Sequence, residues 1–301
     1  MRGMMTGAMC GLMPLLSGCG GGGAGDDVVA ATPAPPSTSA PTPAPTTAAP
    51  QPGATPTSRW TPRVSDTWQW QLSGTIDTRP DVAIYDVDLF DTPRATVTAL
   101  HAQGRRVLCY FSAGSAENWR PDYARFAAVD LGNPLDGWAG ERWLDIRRAN
   151  VRSIMAARLA EAAGKGCDGV EPDNVDGFEP DNRSGLSFTA SDQIDFNRFL
   201  ATEAHRLNLA IALKNDLAQI PALVGDFDLA VNEQCHEYDE CGAYRAFVAA
   251  GKPVLNAEYR AGYRTNASGE RDRLCIAARS EGLRTLVLPV ALDGSFRFAC
   301  D

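Results

Sequence analysis

The stretch Gly166-Cys-Asp-Gly-Val-Glu-Pro-Asp-Asn-Val-Asp-Gly-Phe178 decides how the rest of the chain is interpreted. It begins like a buried strand and ends in a glycine turn, and alternate side chains of a strand point to the same face. Glu171 and Asp173 therefore share a face, with Pro172 on the other. Two adjacent carboxylates repel each other and are costly to desolvate, so stability alone gives no reason for them. Carboxylates at the end of a strand are typical of active sites in parallel barrels.

Two other interpretations of this stretch stay open. In the first, the stretch is a polar loop that follows a strand. In the second, it is a structural cation site made of closely spaced Asp and Asn residues. The twelve-residue calcium loop with its closing Glu is absent from the sequence.

Length and charge set broad limits on the class of protein. The chain has 301 residues and is 44% apolar, which allows one large domain or two small ones. A net charge of −9 argues against nucleic acid as a partner and would suit a cationic ligand.

Residues 1–18 have the pattern of a short secretory signal, with Arg2 followed by an apolar run. The segment Leu16-Ser-Gly-Cys19 resembles the lipobox of bacterial lipoproteins, which implies cleavage before Cys19 and lipidation of that residue. The alternative is an ordinary secretory signal with a chance cysteine. We expect an exported protein that is lipid-anchored to the bacterial membrane, at the outer membrane or the cell surface.

Residues 19–58 form a predicted linker, because glycines and Ala/Pro/Thr repeats cannot bury a core. The folded domain is predicted over residues 59–301. Within it, Cys235 and Cys241 flank a short loop and are expected to pair; Cys275 and Cys300 are the second expected pair. A zinc site at Cys235, His236 and Cys241 is the alternative to the first pair. Two other cysteines, 109 and 167, are expected to be buried thiols.

Short apolar runs alternate with longer amphipathic segments after residue 59. The eight predicted strands are Trp68–Leu72, Val82–Asp88, Arg106–Ser112, Cys167–Asn174, Leu209–Asn215, Asp228–Glu233, Pro253–Glu258 and Arg284–Pro289. The predicted helices span 93–103, from a cap at Asn150 to about Ala163, from Thr189 or Ser191 to about Leu207, Leu217–Leu223, Tyr238–Ala250 and 270–281. An excursion containing Trp119, Trp138 and Trp143 follows the third strand.

Eight strands alternating with helices predict an α/β fold, the (β/α)8 TIM barrel. A doubly wound open sheet is the competing fold, but no Gly-x-Gly-x-x-Gly follows the first strand. Polar residues recur at most of the predicted strand ends, and only a barrel would bring them to one mouth. These strand-end residues are Asp86, Asp88, Ser112, Glu171, Asp173, Lys214, Asn215, Asn232, Glu233 and Glu258.

Many carboxylates without a cofactor motif indicate glycoside hydrolysis, which needs one carboxylic acid and one carboxylate on either side of the sugar. We expect no cofactor and no metal. Aromatic residues near the predicted mouth would stack on sugar faces, although each is also a candidate for the core. These aromatic residues are Trp70, Tyr85, Tyr110, Trp119 and Tyr259. By this reasoning alone, Asp173 cannot be chosen over Glu171, nor Glu233 over Glu258.

A set of short motifs resembles the endo-α-1,4-polygalactosaminidases of glycoside hydrolase family 114. The motifs are Tyr85–Asp88, Val107–Gly114, Trp143–Ile146, Gly166–Asp176, Leu213–Asn215, Asn232–Cys235 and Ala257–Tyr259, and the resemblance covers about residues 66–290. It implies a (β/α)8 barrel and cleavage of α-1,4-linked galactosamine polymers. It places the acidic pair on Asp173 and Glu233. By analogy with barrel α-galactosidases, Asp173 would be the nucleophile and Glu233 the acid/base.

The remaining candidates are expected to bind substrate, and several of the acids are expected to bind its ammonium groups. They are Tyr85, Asp86, Asp88, Tyr110, Ser112, Asp145, Glu171, Asn174, Asp176, Lys214, Asn215, Asn232, Glu258 and Tyr259. The expected partners are a cationic galactosamine polymer and, through Cys19, a membrane; we expect a monomer. Two alternatives are a non-catalytic polysaccharide-binding lipoprotein and a barrel hydrolase of another α-glycoside.

Overall fold

The computed structural model describes residues 58–301. The predicted signal, the linker up to residue 57 and Cys19 lie outside the described residues. Twelve strands occur within them: β1 (Trp68–Gln71), β2 (Ile84–Asp88), β3 (Arg106–Ser112), β4 (Ser115–Glu117), β5 (Leu131–Pro134), β6 (Glu141–Leu144), β7 (Gly169–Asp173), β8 (Ala210–Lys214), β9 (Leu229–Glu233), β10 (Val254–Glu258), β11 (Arg284–Val287) and β12 (Phe298–Ala299). The α-helices there are α1 (Arg94–Ala102), α2 (Ala149–Lys165), α3 (Ala190–Arg206), α4 (Ile220–Leu223), α5 (Arg245–Ala249), α6 (Ala261–Thr265) and α7 (Glu270–Glu281).

The eight predicted strands form one curled sheet in chain order, β1-β2-β3-β7-β8-β9-β10-β11, and every pair is parallel. The short β12 adds antiparallel to β11. The two ends of the parallel sheet meet where Trp68 Nε1 donates to the carbonyl of Arg284 at 2.9 Å. The fold is therefore the (β/α)8 barrel type that the strand pattern predicts.

Two apolar layers follow from the alternation of side chains along the strands. The barrel interior is filled by Trp68 and Trp70, stacked with ring centroids 5.6 Å apart, and by Leu108, Val231, Leu255 and other aliphatic residues. The larger layer lies between the outer face of the sheet and the helices. Polar side chains, rather than residues of either apolar layer, occupy the carboxyl ends of the strands.

A small antiparallel sheet with the order β4-β6-β5 follows β3, and the sequence did not predict its strands. We call residues 115–144 the insert. Its first residues sit close to the barrel, since a Cβ atom on Gly114 would lie 1.7 Å from the carbonyl oxygen of Asn174. Only glycine allows β3 to leave the barrel at this point.

Two helix boundaries differ from the prediction. Helix α2 starts at Ala149, so Asn150 is not its cap; the Asn150 amide instead donates to Asp130 Oδ2 and to the carbonyl of Arg125. The predicted helix from Tyr238 begins only at Cys241, with a 3-10 turn, because a disulfide closes the preceding segment. Thr189 does cap α3 through a reciprocal pair of hydrogen bonds with Asp192.

The two expected disulfides, Cys235–Cys241 and Cys275–Cys300, are present. The expectation of free thiols at Cys109 and Cys167 is wrong, because these residues form a third disulfide across 58 residues. Cys109 points outward from β3, and Cys167 lies just before the neighbouring strand β7, which brings the Cα atoms to 6.0 Å. No helix in residues 58–301 has both the length and the apolar character that a membrane span requires.

Candidate active site

The end of β7 supplies two carboxylates with different exposure. Glu171 and Asp173 both point into the barrel, but the Glu171 side chain is fully buried, whereas the Asp173 side chain is 18% exposed. The next residue, Asn174, turns the chain with a positive φ of 59°. Its backbone N–H donates to Asp173 Oδ1 at 2.7 Å, which fixes the carboxylate at the mouth.

A single buried ammonium group lies at the centre of the site. Lys214 at the end of β8 is 2% exposed, and its Nζ lies 3.1 Å from Glu171 Oε1, 3.2 Å from Asp173 Oδ1 and 3.2 Å from Glu233 Oε2. It also lies 4.8 Å from the ring centroid of Trp70. Burial alone would lower the pKa of Lys214, but the three carboxylates hold it well above its usual value. Side chains from the ends of strands β7 and β9 thus surround the ammonium group carried by β8.

Each exposed carboxylate also accepts a hydrogen bond from one tyrosine. Tyr110 donates to Asp173 Oδ2 at 3.1 Å, and Tyr259 donates to Glu233 Oε1 at 2.5 Å. Burial and the neighbouring acids raise the pKa of both tyrosines well above the usual value, so both remain donors at neutral pH. Asp173 and Glu233 are therefore held in the same way, with one oxygen on Lys214 and the other on a tyrosine.

Below Lys214 lies a buried acid pair, Asp86 and Glu171. Burial and the adjacent Glu171 raise the pKa of Asp86 well above its usual value, which favours its protonated form. Burial raises the pKa of Glu171 to about 7, against the opposing effects of Lys214 and of Asp86. Neither side chain has any exposed surface, so neither contacts substrate.

The other mouth residues orient this centre. Ser112 is buried and accepts a hydrogen bond from the Asn174 amide at 2.9 Å. Asn215, with φ of 48°, accepts from the backbone N–H of Glu233 at 3.1 Å. Burial raises the pKa of Asp216 to about 9, and the nearby charge of Asp176 adds to this.

Three predicted substrate-binding residues lie on the outer face of the sheet. The Tyr85 ring packs in the layer below the helices, and its hydroxyl donates to the carbonyl of Pro80. Asn232 accepts from Asn256, and Glu258 accepts from the backbone N–H of His236. The expectation for these three is wrong, because each strand turns alternate residues inward and their inward neighbours are Asp86, Glu233 and Tyr259.

Two further predicted acids are held by arginines. Both oxygens of Asp88 accept from Arg120, and both oxygens of Asp145 accept from Arg147. Asp88 and Asp145 are only 3% exposed, so they do not suit the expected role of binding ammonium groups. The same holds for the buried Asp86 and for Glu258.

The family model for glycoside-hydrolase family GH114 matches residues 49–301.

The chain belongs to glycoside hydrolase family 114.

Solved structures place this family 114 hydrolase among related barrels. Ega3 of Aspergillus fumigatus, solved in complex with galactosamine, is 44% identical with a TM-score of 0.76; the match covers 82% of this chain and 100% of that chain. The glycoside hydrolase domain of PelA from Pseudomonas aeruginosa is 19% identical with a TM-score of 0.58, covering 76% and 96%. An α-galactosidase from Thermus thermophilus shares the fold at 12% identity and a TM-score of 0.50, covering 76% and 58%. A search of curated proteins found no match.

The disulfide between Cys235 and Cys241 argues against the zinc alternative at these residues. Among residues 58–301, the only group of three His, Cys, Asp or Glu side chains close enough to hold a metal is Cys235, His236 and Cys241. Both sulfur atoms are bonded to each other, which removes them as thiolate ligands.

Sequence reasoning missed two polar residues of the insert that lie beside the site. Ser115 contacts Ser112, with 2.6 Å between the hydroxyl oxygens, and donates to Glu141 Oε2 at 2.7 Å. Burial raises the pKa of Glu141 to about 7, and the nearby charges of Glu117 and Asp173 add to this. The available sequence signal was the alternation of Glu141 and Trp143 in a short strand. It was not recognised because it lies within the long excursion after the third strand.

Proposed function

We propose that this family 114 enzyme is an endo-α-1,4-polygalactosaminidase in which Asp173 is the nucleophile and Glu233 the general acid/base. The observation that carries the proposal is the shared geometry of these two carboxylates around Lys214. They are the two members of the cluster that solvent reaches, at 18% and 30% exposure, whereas Glu171 is fully buried. The galactosamine bound to Ega3, at 44% identity, supports the choice of sugar.

The distances favour a retaining reaction. Asp173 Oδ1 and Glu233 Oε2 each lie 3.2 Å from the same nitrogen, so these oxygens are at most about 6.4 Å apart. Retaining glycosidases hold their carboxyl groups about 5–5.5 Å apart, whereas inverting enzymes need about 6.5–9.5 Å to admit a water molecule. A direct attack on the sugar by one carboxylate therefore fits this spacing.

In the proposed first step, an Asp173 oxygen bonds to the anomeric carbon while the bond to the leaving oxygen breaks. Glu233 gives its proton to that leaving oxygen. In the second step, Glu233 takes a proton from water, the water oxygen bonds to the anomeric carbon, and Asp173 departs as a carboxylate. Three donors orient Asp173 for attack: Lys214, Tyr110 and the backbone N–H of Asn174.

The test is release of oligosaccharides from partly deacetylated α-1,4-galactosamine polymer by the purified domain, followed by mass spectrometry. We expect a series of short oligomers from the wild type and none from Asp173→Asn. Glu233→Gln should lose about 10²–10⁴-fold on the polymer. It should lose much less on an aryl α-glycoside with a good leaving group, which needs no proton. Binding of polymer without release by the wild type would instead support a non-catalytic polysaccharide-binding protein.

We also propose that the enzyme is exported and held at the bacterial membrane by a lipid on Cys19, with residues 19–58 as a tether. The three disulfides agree with an oxidising compartment outside the cytosol. The resemblance of Leu16–Cys19 to a lipobox supports the anchor. Detergent phase partitioning of the full chain tests it: wild type should enter the detergent phase, and Cys19→Ala should stay in the aqueous phase. Equal partitioning of both would reject the anchor.

The charged surface of the domain suits a monomer, which light scattering would check.

A further inference from the structure

The chain turns sharply directly after Glu233, the last residue of β9. Gln234 has a positive φ of 65°, a backbone conformation that costs energy for a residue other than glycine. Its backbone N–H donates to the carbonyl of Ala257 on β10 at 2.8 Å. We call residues 234–237 the turn. A strained backbone persists only where its surroundings fix it, so the direction of the Glu233 side chain depends on what holds this turn.

A buried carboxylate, that of Glu258, holds the turn from the outer face of the sheet. Glu258 has no exposed surface, and its Oε1 accepts a hydrogen bond from the backbone N–H of His236 at 2.8 Å. Within residues 58–301, no cation pairs with it. Burial raises the pKa of Glu258 to about 7, against the hydrogen bonds from His236 and Asn256. A buried carboxylate without a counter-ion is costly, so stability alone gives no reason for an acid here.

A row of buried amide and hydroxyl groups holds the turn one residue earlier. The backbone N–H of Cys235 donates to Asn232 Oδ1 at 3.1 Å, and the Asn256 amide donates to the same oxygen at 2.8 Å. The Thr285 hydroxyl donates to Asn256 Oδ1 at 3.0 Å. The row crosses β9, β10 and β11, because its three side chains belong to residues that are aligned in the sheet. Two successive N–H groups of the turn are therefore fixed by the outer face of the sheet.

The end of β10 acts on Glu233 from both faces of the sheet. On the inner face, Tyr259 donates to the Glu233 carboxylate itself. On the outer face, Glu258 holds the backbone that follows Glu233. Asp173 is held by other groups, among them the backbone N–H of Asn174. The Glu258 contact therefore bears on one of the two proposed catalytic carboxylates and not on the other.

We propose that Glu258 is a positioning residue, which fixes the turn after Glu233 and so directs the acid/base carboxylate at the leaving oxygen. The inference rests on the proposed function, because it concerns the acid/base role of Glu233. A general acid must lie within about 2.6–3.2 Å of the oxygen that it protonates, and a displacement of about 1 Å costs about 10²-fold in rate. Glu258 does not touch substrate, since it is fully buried. Its removal should therefore impair protonation of the leaving group and spare the attack by Asp173.

The experiment compares kcat/KM on two substrates, the galactosamine polymer and an aryl α-glycoside of galactosamine with a good leaving group. Only the polymer needs a proton from Glu233 when the glycosidic bond breaks. Glu258→Ala should lower kcat/KM about 30- to 100-fold on the polymer and about threefold or less on the aryl glycoside. Glu258→Gln keeps an acceptor oxygen without its charge, so its loss on the polymer should be only about three- to tenfold, with the aryl glycoside unaffected.

Glu258→Gln also decides the test if Glu258→Ala does not fold, because the amide keeps the packing and removes the buried charge. The matched control is Asp130→Ala. Asp130 is 2% exposed, and its carboxylate accepts a hydrogen bond from the backbone N–H of Ala127 at 2.8 Å in a turn of the insert. Asp130→Ala should cost stability and leave kcat/KM on both substrates unchanged for the folded protein.

Equal losses on both substrates in the Glu258 variants, or no loss on either, would show that Glu258 does not position the acid/base. Glu233→Gln separates this result from the proposed function. If the wild type releases no oligosaccharide, or if Glu233→Gln loses equally on both substrates, the proposed function is wrong and the positioning role falls with it. If Glu233→Gln loses selectively on the polymer while the Glu258 variants do not, only the positioning role is wrong.

Discussion

Asp173 and Glu233 each place one carboxylate oxygen 3.2 Å from the same nitrogen, the Nζ of Lys214. They come from strands β7 and β9, and the strand between them supplies the lysine. Because that lysine is buried, both carboxylates are held at the mouth by a charge that water screens only weakly. This arrangement leads to the first prediction.

Lys214→Met should lower the free energy of unfolding by about 3–5 kcal/mol, because it leaves the buried Glu171 carboxylate without its cation. Activity should fall as well. The acidic limb of the profile of kcat/KM against pH should move to higher pH, because an ammonium group favours ionised neighbours. Thermal unfolding and initial rates from pH 4 to 8 measure both effects.

The matched control is Lys252→Met. Lys252 also has a half-buried ammonium group, but it donates to the carbonyl groups of Val224 and Phe227 rather than to the site. It should cost stability and leave the shape of the pH profile unchanged. An unshifted acidic limb in Lys214→Met would show that the lysine does not tune the acids.

Asp86→Asn should flatten the pH dependence of stability. The pKa of Asp86 is raised in the folded protein, whereas the unfolded chain loses this proton near pH ~3.9. The stabilising contribution is therefore complete below that pH and is lost as pH rises toward the folded pKa. Asparagine keeps a donor toward Glu171 and has no proton to lose, so the variant should gain stability relative to wild type as pH rises above about 4.

Unfolding in urea at several pH values measures this difference. Asp77→Asn is a control of opposite sign, since the hydrogen bond from Arg79 lowers the pKa of Asp77 to about 2. Its contribution is lost only as pH falls toward that value, so Asp77→Asn should leave the pH dependence of stability unchanged between pH 5 and 8. Parallel curves for wild type and Asp86→Asn would contradict the prediction.

Removal of the two disulfides Cys109–Cys167 and Cys235–Cys241 should affect stability and activity to different degrees. Cys109–Cys167 closes 58 residues on the outer side of the sheet, and its removal should cost about 4 kcal/mol with kcat nearly unchanged for the folded protein. Cys235–Cys241 closes only 6 residues, so its removal should cost about 2 kcal/mol. That short loop begins two residues after Glu233, and its loss should lower kcat by disturbing the position of this carboxylate.

The measurement uses a double Cys→Ser variant of each pair. The two variants are compared by chemical unfolding, and by turnover at a temperature where both are folded. Equal loss of kcat in the two variants would show that the short loop has no special part in holding Glu233.

Gly114→Ala should destabilise the protein by about 2 kcal/mol or more and lower activity. The new methyl group would meet the backbone of Asn174, whose N–H holds Asp173. Gly164→Ala is the control, because no atom lies within 4 Å of its Cβ position in α2, and it should stabilise by about 0.5–1 kcal/mol. Unfolding free energies and kcat test the pair; a harmless Gly114→Ala would mean that the insert can move away from β7.

Local sequence predicted the barrel because each strand and helix carries its own periodicity and stop signals. The order of eight strands, the cap at Thr189 and two disulfides are confirmed by the structure. The three strands inside the predicted excursion were missed because each is only three or four residues long. The third disulfide was missed because its cysteines are adjacent only after β3 and β7 pair.

The site was predicted in part. Strand-end position correctly gathered Glu171, Asp173, Lys214 and Glu233, but Tyr85, Asn232 and Glu258 were included although alternation along their strands places them outside. That error was avoidable, since Asp86, Glu233 and Tyr259 are their inward neighbours.

The sequence by itself determined which residues end each strand, and therefore which polar groups are candidates for the mouth, because side-chain alternation and the succession of strands along the chain can be read from local patterns. Only the tertiary structure decided which of those acids water reaches, which one is buried beside Asp86, and that Lys214 joins three of them. Exposure and ion pairing depend on distances between strands that lie far apart in the chain, and no local pattern encodes those distances.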